Sequence, residues 1–294
     1  MSSANTKLKG TLLVKVVYII AGIAGYASTL LVPDWDLLWR SALADVVATV
    51  VVFLFSHFTG NASLYDPYWS VIPMWLAVWW MIELGVSGLD IYDWLILAMV
   101  FFWGIRLTLN WWTGWTGMDH QDWRYTDLKK KTGALYPLVN FSGIHLFPTV
   151  LVFLSCIPMY EIIEHQGEMH GQPWMAVLCI LITFGAVVIE AVADYQRRVR
   201  YNHDGSEVYK SGVWSWSRHP NYFGEITFWV GLFLYAHLVE WAPVWMGAGA
   251  LAMILLFVFI SIPMMEERQL ANKPSYQEYQ KRVSSLVPMP PKKG

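Results

Sequence analysis

Trp214-Ser215-Trp216-Ser217-Arg218-His219-Pro220-Asn221-Tyr222-Phe223-Gly224-Glu225 joins a basic stretch, residues 197–210, to an apolar run. A guanidinium, an imidazole, an amide, a phenol and a carboxylate crowd into residues 218–225, and burying that many unpaired polar groups costs several kcal/mol. The stretch therefore belongs where water gives way to lipid, and a polar cofactor is the expected partner of those groups. Pro220 has no N–H and suits a first helical turn, so the amides that follow it are open to phosphate or carboxylate oxygens. Glu225 lies four residues after Asn221 and shares its helix face.

The rest of the chain fits a lipid boundary. It is 56% hydrophobic and 14% charged, roughly half the charged fraction of an ordinary soluble domain. The formal net charge of −2 gives no reason to expect a nucleic-acid partner; the expected partners are the bilayer and a hydrophobic small molecule. Cys156 and Cys179 both fall in apolar runs, so neither a disulfide framework nor a zinc site is expected. Apolar runs at 12–31, 41–58, 69–84, 94–112, 141–160, 174–193, 222–239 and 244–265 are each near the ~17–25 residues that cross a bilayer as a helix. The first is longer than the ~7–15 residues of a signal-peptide core and has no clear cleavage site after it, so it reads as a span.

Lys and Arg test that count, because cytoplasmic loops hold the excess. Lys7 and Lys9, then Arg124 and Lys129 to Lys131, then Arg197, Arg198, Arg200, Lys210 and Arg218, and finally the tail all fall on one face. The opposite face has Arg40 with acidic residues such as Asp90, Asp93, Glu161, Glu164 and Glu168. The expected fold is an all-α, polytopic integral membrane helical bundle of about eight (seven to eight) spans with both termini cytoplasmic. It forms a single membrane domain over 1–294: two N-terminal spans in 1–60, a core in 61–293 with a cofactor half from about 190, and a tail in 266–294 whose last residues are expected to be loose.

Four polar sets could carry chemistry. In the approach to the opening stretch, Asp194 and Arg198 sit at i and i+4, one turn after Glu190, followed by Tyr209, Lys210 and Trp214; the plain alternative is a juxtamembrane cluster pairing with itself and with headgroups. The fourth span and its loop contribute Arg106, Asn110, Asp119, His120, Asp122, Arg124 and Tyr125, where Asp122 could simply cap the helix that runs toward Lys131. In the second loop, Asp66 with Tyr65 and Tyr68 could polarise a carbonyl or supply a proton, although an Asp before Pro67 also suits a turn. In the tail, Glu266, Glu267 and Arg268 precede Tyr276 and Tyr279, a pattern equally suited to a helix folding back over the cytoplasmic mouth. His165 and His170 with nearby carboxylates make no convincing metal pattern.

Arg218-His219-Pro220-Asn221-Tyr222-Phe223-Gly224-Glu225, with Asp194-Tyr195 and Arg198 before it and Glu266-Glu267-Arg268-Gln269-Leu270 and residues 279–288 after it, resembles the bacterial uncharacterised membrane proteins of the steroid 5-alpha-reductase C-terminal-domain family. Asp66-Pro67-Tyr68-Trp69 and Asp122-Trp123-Arg124-Tyr125 look like the same group, so the resemblance runs from about residue 61 to 288. It implies a multi-pass protein of the bacterial inner (plasma) membrane and an NADPH-dependent oxidoreductase acting on CH–CH groups in lipid metabolism. Asp194, Arg198, Tyr209, Lys210, Asn221 and Glu225 would contact the cofactor. The Gln–Glu pair that meets the steroid ketone in that family is not visible here, so a steroid is not specified as the acceptor.

The expected activity is hydride transfer from NADPH to an activated C=C bond of a steroid-like, isoprenoid or fatty acyl lipid. Arg198, Lys210 and Arg218 would hold phosphates, and Trp214, His219, Tyr222, Asn110 and Arg124 would complete the cofactor site. Asn221 and Glu225 would orient the nicotinamide, and Asp66, Tyr65 or Tyr68 would serve the acceptor. The Arg-His-Pro-x-Tyr and Glu-Glu pattern is also similar to isoprenylcysteine and phospholipid methyltransferases, so the alternative is an S-adenosylmethionine-dependent lipid methyltransferase. NADPH calls for several cationic donors, the methyl donor for carboxylates and aromatic walls, and the basic loops lean toward NADPH. A third reading is a non-enzymatic lipid-binding protein.

Overall fold

The computed structural model describes residues 3–165, 171–200 and 208–292; Glu168 and His170 fall outside them. Twelve α-helices, α1 to α12, follow one another with short 3-10 and π turns, and no strand forms among the described residues. Seven helical stretches there are long and apolar enough to cross a membrane. Helix α3 (Tyr68–Leu84) has 17 residues and occupies the remaining expected span, so the chain is a polytopic helical membrane protein. Several helices outrun their apolar runs: α1 begins at Ser3 and α8 (Pro173–Arg200) continues through the basic approach. Helical hydrogen bonding does not stop at the lipid boundary, and Arg or Lys stems can follow the helix outward.

The chain divides into two compact units, residues 1–86 with 103–156 and residues 87–102 with 157–294. In the first, α1 (Ser3–Thr29) and α2 (Leu37–Thr59) form a hairpin. Asp36 opens α2 by accepting from Leu38 N (2.9 Å), and Gly60, in the left-handed conformation, closes it. The hairpin is tight at Gly25, where a Cβ would lie 2.6 Å from the Ala44 carbonyl oxygen. Such small residues let membrane helices approach closely where water cannot drive packing. Gly25→Leu is expected to cost about 1–3 kcal/mol, read as a lower denaturation midpoint, because the obstructing atom is backbone and cannot rotate away.

The same unit contains α3, the later part of α4 (Ile91–Gly114), α5 (Trp123–Thr132), α6 (Tyr136–Val139), a π-helical turn (Asn140–Leu146) and the start of α7 (Phe147–Glu164). Asn61 ties two of its loops together: Nδ2 donates to the carbonyls of Met118 (2.8 Å) and His120 (2.9 Å), and Oδ1 accepts from Ser63 N. Ser63 Oγ in turn accepts from Asp122 N at 2.9 Å.

In the second unit, α8 packs along α9 (Pro220–Val239). Gly224 and Gly231, seven residues apart, meet Ala186 and Glu190 and then Thr183 so closely that a Cβ on either would overlap them. The chain continues through α10 (Ala248–Leu256), a π turn (Phe257–Ser261), α11 (Ile262–Asn272) and α12 (Tyr276–Arg282). Exposed apolar side chains such as Ile23, Leu181, Phe184, Leu251 and Phe259 cover the outward faces, as lipid-facing surfaces require. The end of the tail is tied down rather than loose: Arg218 N donates to Ser284 O (2.8 Å), Met289 N to Trp216 O (2.9 Å) and Lys292 N to Arg282 O (2.9 Å).

Candidate functional site

The opening stretch folds as a 3-10 turn (Gly212–Ser215) leading into α9. Gln196 on α8 holds the turn through Val213 N (3.1 Å), and Trp214 Nε1 donates to the Ala193 carbonyl (3.1 Å). Gly212 is required there, since its φ is +62° and a Cβ would strike the Gln196 side chain. The tail closes over the turn. Tyr279 OH donates to Trp214 O (2.5 Å), and Ser217 Oγ donates to Leu286 O (2.7 Å).

Arg218 is the centre of this closure. Its Nε donates to Glu266 Oε1 (2.7 Å) and its Nη1 to the carbonyls of Gln280 (2.8 Å) and Val283 (2.5 Å). Glu266 also accepts from Gln280 Nε2 (2.7 Å) and from His219 Nε2 (3.2 Å). Burial holds His219 below its ordinary value, against the opposing pull of Glu266. At neutral pH the ring is therefore uncharged, and its contact with Glu266 is a hydrogen bond with the proton on Nε2. The guanidinium expected at a phosphate thus fastens the tail to α9.

Between α8, the start of α9, α11 and α12 lies a cavity of about 50 Å³ lined by Arg197, Val208, Tyr209, Trp214, Arg218, His219, Asn221, Tyr222, Met265, Gln269, Lys273, Tyr276 and Tyr279. The Tyr209 hydroxyl is buried without a hydrogen-bond partner. Arg197 lies over the Trp214 ring (5.6 Å), and His219 stacks on Tyr222 (5.2 Å), which meets Phe257. The cavity brings together six of the expected cofactor residues: Tyr209, Trp214, Arg218, His219, Asn221 and Tyr222. Asp194, Arg198, Lys210 and Glu225 do not line it. Lys210 is exposed, and Glu225 is buried in α9, accepting from Trp229 Nε1 at 2.8 Å. Met265, Gln269 and Lys273 were not among the expected site residues; Met265 and Gln269 are four apart on α11, and Lys273 follows its end.

In the first unit, Asp66 is met by Tyr125, whose hydroxyl donates to Oδ1 at 2.6 Å. Burial pushes the Asp66 carboxyl up to about 6, opposed by that hydrogen bond. Tyr65 and Tyr68 are engaged elsewhere: Tyr65 shares a hydrogen bond with Thr149 (2.8 Å), and Tyr68 donates to Asp45 Oδ1 (2.7 Å). Asp122 caps α5 through Arg124 N (2.8 Å) and takes the Arg124 side chain on both oxygens (2.9 and 3.0 Å). Burial would raise Asp122, but Arg124 outweighs it and holds the carboxyl below its usual range. Asn110 also belongs to this unit, half-buried on α4. Glu161, Glu164 and His165 bring ligand-type atoms within 4.8 Å of one another. Each has a partner in the chain, through the His165–Glu161 contact (3.5 Å) and Tyr160 OH donating to Glu164 (2.9 Å).

Comparison with known proteins gives two relatives and one family. An uncharacterized protein of Schizosaccharomyces pombe, C594.04c, is 25% identical over 267 residues, covering 79% of this chain and 74% of its own length. The Lamin-B receptor of Drosophila melanogaster is 28% identical over 131 residues, 39% of this chain and 17% of the receptor, so the likeness spans a small part of that protein. No solved structure matches. The family model described as "Protein of unknown function (DUF1295)" matches residues 52–283, from α2 through the tail that closes the cavity, and the chain belongs to that family.

Proposed function

We propose that the protein is a membrane reductase that uses NADPH to reduce an activated C=C bond of a lipid. The observation that carries this reading is the cavity beside α9: Arg197 and Lys273 put two cations in its wall besides Arg218, which Glu266 already holds, and the Tyr209 hydroxyl is buried without a partner. Cationic donors suit the phosphates of a dinucleotide, and the start of α9 adds amides that helix geometry leaves open to anions. Tyr209, Asn221, Tyr222 and Lys273 would hold the cofactor, which supplies a hydride when bound.

The cavity is too small for the whole molecule, since ligand sites measure roughly 300–1,000 Å³. Binding therefore requires α12 to give way, and Arg218 is the latch that resists it. In the first unit, Asp66 is a separate group suited to holding a proton. Tyr125 occupies Oδ1, which leaves Oδ2 to hold the proton, and a value of about 6 keeps part of the population protonated near neutral pH.

Titration of detergent-solubilised protein tests the cofactor. NADPH should bind, and Tyr209→Phe and Asn221→Ala should each weaken it about tenfold, the loss of one good hydrogen bond. Binding of S-adenosylmethionine without NADPH would overturn the reading. That second reading, a lipid methyltransferase, draws its support from the stacked wall of His219, Tyr222 and Phe257, which suits a sulfonium.

A further inference from the structure

The first unit contains a second and larger cavity, of about 310 Å³, whose wall includes Ser56, His57, Gly60, Lys129, Tyr136 and Asn140. Two helices end against it, α2 at Gly60 (φ 71°) and α5 at Gly133 (φ 53°), and a Cβ on either glycine would meet nothing within 4 Å. The glycines permit both chain reversals and leave the wall open for close approach.

Asn140 forms the buried end. It is 2% exposed, it begins the π-helical turn Asn140–Leu146, and its side-chain Oδ1 has no hydrogen-bond partner. The π turn also brings His145 Nδ1 onto the Asn140 carbonyl at 3.0 Å, so Nδ1 carries the ring proton there. Nε2 is then an acceptor, also buried and without a partner, although His145 itself does not line the cavity. Two unsatisfied acceptors on one π turn are uncommon in a folded chain, and such turns gather at functional sites. Helix C-termini likewise favour donors over acceptors, so the Asn140 end of the cavity is built for a ligand that donates hydrogen bonds.

The rim has a different character. Lys129 is exposed with its Nζ 5.6 Å from the Tyr136 ring centroid. Phe58, Leu135 and Leu138, the chain neighbours of lining residues, are 81%, 66% and 65% exposed and apolar. An acceptor inside, a cation at the mouth and apolar side chains outside match a hydroxyl-bearing anionic amphiphile.

We infer that this cavity binds the polyol phosphate headgroup of a membrane lipid, with a headgroup hydroxyl donating to Asn140 Oδ1, the phosphate facing Lys129 and the acyl chains remaining in the bilayer. The site is independent of the α9 cavity and of the reaction proposed for it. Native mass spectrometry of the intact, detergent-solubilised chain titrated with phosphatidylglycerol, phosphatidylcholine and glycerol phosphate tests it. Phosphatidylglycerol should bind at least tenfold more tightly than phosphatidylcholine, and glycerol phosphate should compete only weakly. Lys129→Gln and Asn140→Leu should each lower phosphatidylglycerol affinity about tenfold, while Lys131→Gln, outside the cavity, should leave it unchanged. If Asn140→Leu fails to fold, Lys129→Gln on its exposed side chain decides. Equal binding of the two lipids, or equal losses in the Lys129 and Lys131 variants, would overturn the site as mere surface charge. Glycerol phosphate binding as tightly as the lipid would overturn the assignment to a membrane lipid.

Discussion

Arg218→Ala is expected to cost about 3–5 kcal/mol of stability, the usual penalty for removing one partner of a buried, hydrogen-bonded ion pair. The side chain is 9% exposed and fastens three segments at once: Glu266 on α11, the Gln280 carbonyl on α12, and the Val283 carbonyl at the start of the tail. Truncation leaves Glu266 with only His219 and Gln280 and strands two carbonyls. Arg218→Lys should recover little, because a single ammonium cannot reproduce the fork that reaches both sides. Denaturant titration of the solubilised protein measures the loss. The double variant Arg218→Ala with Glu266→Gln should lose less than the sum of the single changes, because the same interaction is removed twice.

Asp66→Asn is expected to flatten the dependence of stability on pH between about 4 and 6. Burial raises the Asp66 carboxyl from its ordinary 3.8 to about 6, so the folded state favours the protonated form. The protonated acid is lost as pH rises through about 6. The raised value also sets the stability trend: the residue's contribution is fully present below about pH 4, is lost as pH rises to and beyond 6, and is absent from the asparagine variant. Denaturant midpoints from pH 4 to 7 for the wild type and the asparagine variant check this.

The spans were legible because lipid demands long apolar runs, and these leave their mark in the sequence whatever the packing. What the apolar runs do not specify is where helices end: the i, i+4 pair Asp194 and Arg198 already carried α8 past its run, but the tail fastening through Lys292 came only from the structure. The polar residues were legible as a group but not in their individual roles. Arg218 beside a helix start is as well suited to a phosphate as to a carboxylate, and the partners that claim it lie 48 to 65 positions downstream. Asp66 and Tyr125 stood out in separate motifs 59 positions apart, and only folding pairs them. Tyr68 sits two residues from Asp66, yet its hydroxyl reaches Asp45, because Asp66 lies in the turn before α3 while Tyr68 opens the helix. Met265 and Gln269, four apart on α11, carried a periodic signal masked by the more conspicuous Glu266-Glu267-Arg268.

The small molecule that accompanies the protein through gentle detergent purification, identified by mass after denaturation, tests the cofactor assignment most directly. A nicotinamide dinucleotide phosphate should be recovered from the wild type and lost from the Tyr209→Phe, Asn221→Ala double variant. Recovery of S-adenosylmethionine or its demethylated product, with no nicotinamide species, would contradict it.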